Sequence, residues 1–423
     1  MFAVVPQSAT FPPIAGAHPA ASIRRMRLAV IIAGFCAFLQ LYATQPLLPY
    51  LRKVFLESEM RVSLTVSAAT IAVALASPLI GILADTLGRK RIVIPALLFL
   101  SLPTVLAATS ATLNQLIFWR FLQGLAVPGI VAVTLAYISE EAPANITGSI
   151  TAGYVTGTVA GGLTGRFTCA LVASQFGWRT SFVVLGALTF TGALATWFLM
   201  PRSSRFIRNS DPLAPLRAIK THLQNPRLLA TYFAGFNVLF TLVGMFTYAN
   251  FHLAAPPFNL STVALGMVFT VYALGVIITP LSGKWIDRLG CRTAMIAASV
   301  ITVAGVLLTL LPNLPGFTAG LAVLSTGVFI SQSTASSHIG AVTTSHRSAA
   351  AGLYVFFYYL GGSAGAAILG VAWKLGHWPA CVACVLVAQA LVTLAAWRYF
   401  ASKTTLPSNP VPPAQALIDL EIQ

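Results

Sequence analysis

Residues 81–88 read Gly81-Ile82-Leu83-Ala84-Asp85-Thr86-Leu87-Gly88, and residues 283–290 read Gly283-Lys284-Trp285-Ile286-Asp287-Arg288-Leu289-Gly290. Glycine, aspartate, leucine and glycine return in the second stretch at the spacing of the first, displaced by 202 residues. A second echo pairs Gly161-Gly162-Leu163-Thr164-Gly165 with Gly361-Gly362-Ser363-Ala364-Gly365, displaced by 200 residues. Two independent echoes at nearly one offset mark an internal duplication in this chain of 423 residues.

What surrounds the repeats is apolar. Of the residues 57% are hydrophobic and 8% charged, against roughly 25% charged in a soluble globular chain. Segments free of Asp, Glu, Lys and Arg run over 28–51, 62–84, 92–119, 121–139, 142–165, 180–201, 228–283, 293–346, 348–373 and 375–397. One membrane crossing takes about 20 apolar residues, so 228–283 and 293–346 each hold two crossings. Ala255-Pro256-Pro257 and Pro312-Asn313-Leu314-Pro315-Gly316 supply the dividing turns. The expected fold is all-α and integral to the membrane, with twelve transmembrane helices in two pseudo-symmetric six-helix bundles. The Asp85 and Asp287 repeats then follow the second span of each half, and the glycine repeats lie in the fifth.

Several function classes fall away. The chain lacks a G-x-x-x-x-G-K-[ST] phosphate loop and has no room for an ATPase domain. Neither H-E-x-x-H nor G-x-S-x-G occurs, so an enzyme is not expected. The net charge of +16 punctuates apolar runs instead of covering one solvated face, which argues against a nucleic-acid partner. Five cysteines, Cys36, Cys169, Cys291, Cys381 and Cys384, form no disulfide framework, and Cys381-x-x-Cys384 reads as small residues on a membrane helix. No cofactor and no metal is expected.

The positive charges orient the spans. With both termini cytoplasmic, that side holds eighteen Lys and Arg residues and the opposite side five, while Arg120 and Arg166 stand within apolar runs. Residues 1–26 read as an N-terminal tail, 27–200 and 227–400 as the two bundles, 201–226 as a cytoplasmic linker, and 401–423 as a C-terminal tail. Duplicated six-helix halves place a substrate path at their interface near the bilayer midplane.

The loop Gly81-x-Leu83-Ala84-Asp85-x-x-Gly88-Arg89-Lys90-Arg91 and the element Arg120-x-x-Gln123-Gly124 resemble two motifs of the major facilitator superfamily, with Thr86 where the family has arginine. The resemblance covers residues 27–400. Within the superfamily the chain is similar to the YnfM-like inner-membrane transport proteins, through Tyr42-Ala43-Thr44-Gln45-Pro46-Leu47-Leu48-Pro49, Tyr137-Ile138-Ser139-Glu140-Glu141, Gly161 to Arg166, and Leu353 to Gly361. It implies a secondary active transporter in a bacterial inner membrane that works by alternating access. A proton-coupled exporter of a small organic solute, such as a sugar or amphipathic compound, acting as a monomer, is expected. A gradient-driven importer or facilitator is the alternative, with a membrane enzyme or a non-transporting sensor further off.

Candidate residues follow from chemistry and from the resemblance. Gly81, Asp85, Gly88 and Arg89, with Asp287 and Gly290 as the second-half counterpart, resemble a cytoplasmic latch. Gly153, Gly157, Gly161 and Gly165 recur at i, i+4 steps and, with Gly361 and Gly365, allow close helix approach. The family's antiporters carry a proline in this span, which this chain lacks. A cation at membrane depth costs at least about 2.5 kcal/mol, so Arg120 with Gln123, and Arg166, are candidates for substrate binding or coupling unless they snorkel to a surface. Gln40, Tyr42, Gln45, Asn237, Tyr248, Gln332 and Tyr358 are available to line a cavity. Because acidic residues are missing at mid-membrane depth, Glu140, Glu141 and His338 near span ends are the candidates for proton coupling.

Overall fold

The computed structural model describes residues 20–143, 146–201, 203, 214–343 and 347–400. Thirteen α-helices occur among them: α1 Ala20–Leu41, α2 Leu48–Phe55, α3 Glu59–Leu87, α4 Lys90–Ala107, α5 Leu113–Glu141, α6 Thr147–Phe176, α7 Trp178–Leu199, α8 Ala214–Leu223, α9 Pro226–Ala254, α10 Thr262–Val268, α11 Ala273–Leu308, α12 Leu314–Val342 and α13 Arg347–Tyr399. Polar caps start several of them. Ser58 accepts from the Arg61 amide, Thr112 from Gln115, Asn225 from Arg227 and Leu228, and Asn313 from Gly316. Gly88, Gly177 and Gly290 adopt φ values of 91°, 84° and 79°, a region that favours glycine, and there the chain turns from one crossing to the next.

The described helices make twelve crossings. The first is α1 and α2, broken at Tyr42–Leu47, where a 3-10 turn spans Gln45–Leu47. The eighth is α10, a 3-10 turn at Phe269–Tyr272 and α11 as far as Gly290, after which the rest of α11 is the ninth. α13 kinks at Gly376 and His377 into the last two. Helix α8 lies within the expected linker, and α1 begins at Ala20, inside the stretch assigned to the tail. The expected all-α architecture of two similar six-helix bundles holds.

The duplication extends to individual bonds. Ser181 donates to the Cys169 carbonyl at 3.0 Å, and Cys381 to the Leu369 carbonyl at 3.4 Å, both ends displaced by 200 residues. Gln40 donates to Thr189 at 2.6 Å, while Gln389 donates to Thr241 at 3.0 Å, so the same two places carry the glutamine and threonine exchanged. Lys90 donates to the Met200 and Trp197 carbonyls at the end of α7, and Arg292 to the Phe400 carbonyl at the end of α13. These cations sit on the free carbonyls and the negative dipole end of a helix, where positive charge is favoured.

Candidate substrate path between the halves

The break after α1 leaves the Leu41 carbonyl without a backbone donor among the described residues and the Gln40 carbonyl with only a 3.3 Å bond from the Ala43 amide. Arg120 of α5 takes them up. It is fully buried and donates to the Gln40 carbonyl at 2.9 Å, to the Leu41 carbonyl, to the Thr65 carbonyl of α3 at 3.1 Å and to Oε1 of Gln123. Gln123 donates onward to the Pro103 carbonyl at 3.4 Å. With four of its five N–H groups committed, this guanidinium ties three crossings of one half together at the end of a helix.

Arg166 of α6 is 4% exposed and differently held. Its Nε and Nη2 donate to Oε1 of Gln45 at 3.0 and 2.9 Å, and Nη1 to the Gly162 carbonyl at 2.9 Å. Tyr42, Phe269 and Tyr272 surround it, with ring centres 5.0, 4.5 and 5.1 Å from the guanidinium carbon. Tyr42 and Gln45 come from the break in the first crossing, and Phe269 and Tyr272 from the 3-10 turn in the eighth. The cation therefore joins the discontinuities of the two halves. Phe269 and Tyr272 carry no signal in the sequence that separates them from other aromatics in an apolar run; only the fold brings them to Arg166.

Gln45 also donates to Thr247 of α9 at 3.4 Å, across the halves. Ser63 of α3 hydrogen-bonds Tyr248 at 3.1 Å and the Ala366 carbonyl at 3.4 Å, and Ser67 donates to the Ser363 carbonyl at 3.1 Å. Between described residues, the hydrogen bonds that cross from one half to the other lie at this end, which also carries Leu56 and Gly177. It is opposite the basic end formed by Gly88, Arg89, Lys90 and Arg292. At its outer mouth a cleft of about 840 Å³ opens between α2, the ends of α3 and α9, and the α13 kink, with Arg52, Lys53, Trp373 and His377 among its lining.

The other polar candidates divide. Gln332 is half-buried and accepts from Tyr354 at 2.9 Å, and Tyr354 stacks on half-buried Tyr358 at 6.0 Å. Asn237 is buried, and its amide oxygen has no hydrogen-bond partner among the described residues. Gln40 points into its own half, where Leu185 and Thr189 hold it, and Tyr248 is fully buried at the far-end contact. His338 bonds Thr231 through Nδ1 at 2.7 Å and stacks on Phe400 at 3.8 Å, inside the second half.

At the basic end Arg89 donates to both carboxylate oxygens of Glu140 through its Nε–Nη2 edge, with contacts of 3.2, 3.1 and 2.6 Å. The loop after α3 is thereby tied to the end of α5. Glu141 is buried and Asp287 exposed; the side chain of Asp85, and what meets Gly81, lie outside the described residues. The fifth-span glycines face backbone. A Cβ on Gly157, Gly161 or Gly165 would land on the carbonyls of Ile31, Phe35 or Leu39 of α1, and one on Gly361 or Gly365 on those of Phe236 or Phe240 of α9. Gly153 is looser, facing the Ile31 side chain at 3.3 Å.

The model of the Major Facilitator Superfamily matches residues 30–366 and 249–419. An "Uncharacterized transporter" of Buchnera aphidicola subsp. Schizaphis graminum is 32% identical over 352 residues, 83% of this chain and 85% of that protein. The "Inner membrane transport protein YnfM" of Escherichia coli K12 is 30% identical over 372 residues, 87% of this chain and 89% of that protein. Among solved structures, a bacterial homolog of the human lysosomal transporter Spinster superposes with a TM-score of 0.73 at 16% identity, covering 90% of this chain and 98% of the other.

Proposed function

The chain belongs to the Major Facilitator Superfamily, as a membrane transporter and not an enzyme, and from that premise we propose that it exports a small organic solute, such as a sugar or an amphipathic compound, in exchange for protons. It works by alternating access as a monomer in a bacterial inner membrane, with both termini cytoplasmic. Its moving units are residues 27–200 and 227–400, joined by the linker at 201–226 and flanked by tails at 1–26 and 401–423.

One observation carries the alternating-access reading: between described residues, the cross-half hydrogen bonds gather at one end, beside two crossings that are each broken. Two rocking bundles hold contacts of this kind when their other end is parted. The eighteen-to-five distribution of Lys and Arg supports the orientation. For proton coupling, Glu140 is the foremost candidate, since its ion pair with Arg89 ties the loop to α5. His338 and Glu141 remain secondary candidates for the same role.

The test is purified protein in liposomes loaded with a pH-sensitive dye and challenged with a panel of solutes. A solute that moves protons only when the protein is present is the expected result. Solute flux that ignores the pH gradient overturns proton exchange, and absence of flux for every solute overturns transport.

A further inference from the structure

Of the nine acidic residues of the chain, Glu57, Glu59, Asp85, Glu140, Glu141 and Asp287 stand in loops or in the first or last turns of spans, and Asp211, Asp419 and Glu421 lie outside the described residues. Among the described residues no carboxylate pairs with Arg166, so this buried cation has no counter-ion there, and the uncharged runs of the sequence offer none at mid-span. A buried charge without a partner is destabilising, and membrane proteins keep one where it meets a ligand or a wet path. Arg120 has the same lack of a carboxylate but spends four N–H groups on fixed acceptors. Arg166 makes three such bonds, which leaves two N–H groups without an acceptor among the described residues, facing an aromatic cage.

The geometry of the occupied edge is informative. Nε and Nη2 converge on the single oxygen of Gln45, the side-on edge through which a guanidinium receives a carboxylate. Gln45 is a neutral stand-in that leaves the charge uncancelled. Tyr42 and Tyr272 bring their hydroxyl-bearing rings to 5.0 and 5.1 Å from the guanidinium carbon. Partly buried Phe329 meets Tyr272 edge-on at 6.2 Å and partly buried Phe38 lies beside Gly162, and both give an apolar body a place to lie.

Resting on the transport reading above, we propose that the solute is an organic monocarboxylate, whose carboxylate binds Arg166 together with Gln45 and the tyrosine hydroxyls while its apolar body lies against the aromatic rings. Because Phe269 and Tyr272 belong to one half and Arg166 to the other, an anion that satisfies Arg166 also competes with the contacts that hold the far end shut. One residue then serves recognition and gating together.

The experiment is thermal unfolding of the full-length protein in detergent at fixed ionic strength. The probes are benzoate, hexanoate and indole-3-acetate, each paired with its neutral amide. At least one acid should half-saturate at about tenfold lower concentration than its amide. Arg166→Gln should erase the difference, and Arg166→Lys, which keeps charge without the two-pronged edge, should retain part of it. If Arg166→Gln does not fold, the acid–amide pairs on the unmodified protein and on Arg166→Lys decide. Equal effects of acids and amides, or an acid preference that survives Arg166→Gln, overturn the proposal. Acid preference without flux of any probe in liposomes leaves the anion site standing and removes these acids as the transported solute; flux of neutral solutes with no acid preference leaves transport standing and removes the anion site.

Discussion

Arg120 and Arg166 look alike in the sequence, each a lone cation in an uncharged run, and the fold separates them by what their N–H groups meet. For Arg120 the acceptors are the carbonyls released where α1 breaks. Arg120→Leu strands the buried Leu41 carbonyl, leaves the Gln40 carbonyl only its bond from the Ala43 amide and should cost about 3 kcal/mol or more, read as a lower unfolding temperature and lower folded yield, whether or not a solute is present. The Gln40–Thr189 bond makes a finer test, since its counterpart Thr241–Gln389 has the two side chains exchanged. Gln40→Thr or Thr189→Gln alone should each destabilise by about 1 kcal/mol, and the double exchange should recover most of the loss in the same unfolding measurement. Charge at depth was enough to single out both arginines from sequence. Their different duties were not legible, because carbonyls of α1 and rings of the eighth crossing reach them only through packing between elements.

Close backbone contact between α1 and α6, and between α9 and α13, depends on glycine where a side chain would strike a carbonyl. Gly161→Ala should therefore sharply lower folded yield in membranes, whereas Gly352→Ala, where a Cβ meets nothing within 4 Å, should be neutral or stabilising by about 0.5–1 kcal/mol. Quantitative immunoblotting of membrane fractions compares the two. The i, i+4 spacing made this ladder visible in the sequence, since one helix face follows from 3.6 residues per turn. Pro46 stood in plain view, yet the break in α1 was not inferred from it; proline is common in membrane helices, and whether it interrupts one depends on neighbours such as Arg120. The Arg89–Glu140 pair ties loop to helix. Glu140→Arg should impair activity, and Arg89→Glu in the same chain should restore part of it, measured as solute flux in liposomes.

Number of crossings, duplication and fold class were all legible, because lipid allows few ways to satisfy the backbone and uncharged runs of fixed length count themselves. Which end of the two halves touches was not, since it depends on weak contacts such as Ser67 to the Ser363 carbonyl. If those contacts must part in every cycle, then cysteines at Ser67 and Ser363 joined by a short bifunctional reagent, in a background without the native cysteines, should stop flux, and cleaving the reagent should restore it. Leu56, 92% exposed at that end, gives the matching check on orientation: Leu56→Cys should react with an impermeant maleimide added outside intact cells, and protection from it would reverse the topology. Lys90 and Arg292 fasten the start of the third crossing of each half to the tail end of that half's final helix. Each half thus carries its own clasp and does not need the covalent tether to its sibling to stay closed on itself, so two separately translated fragments, divided between residues 201 and 214, should find each other in the bilayer and reconstitute a working pair.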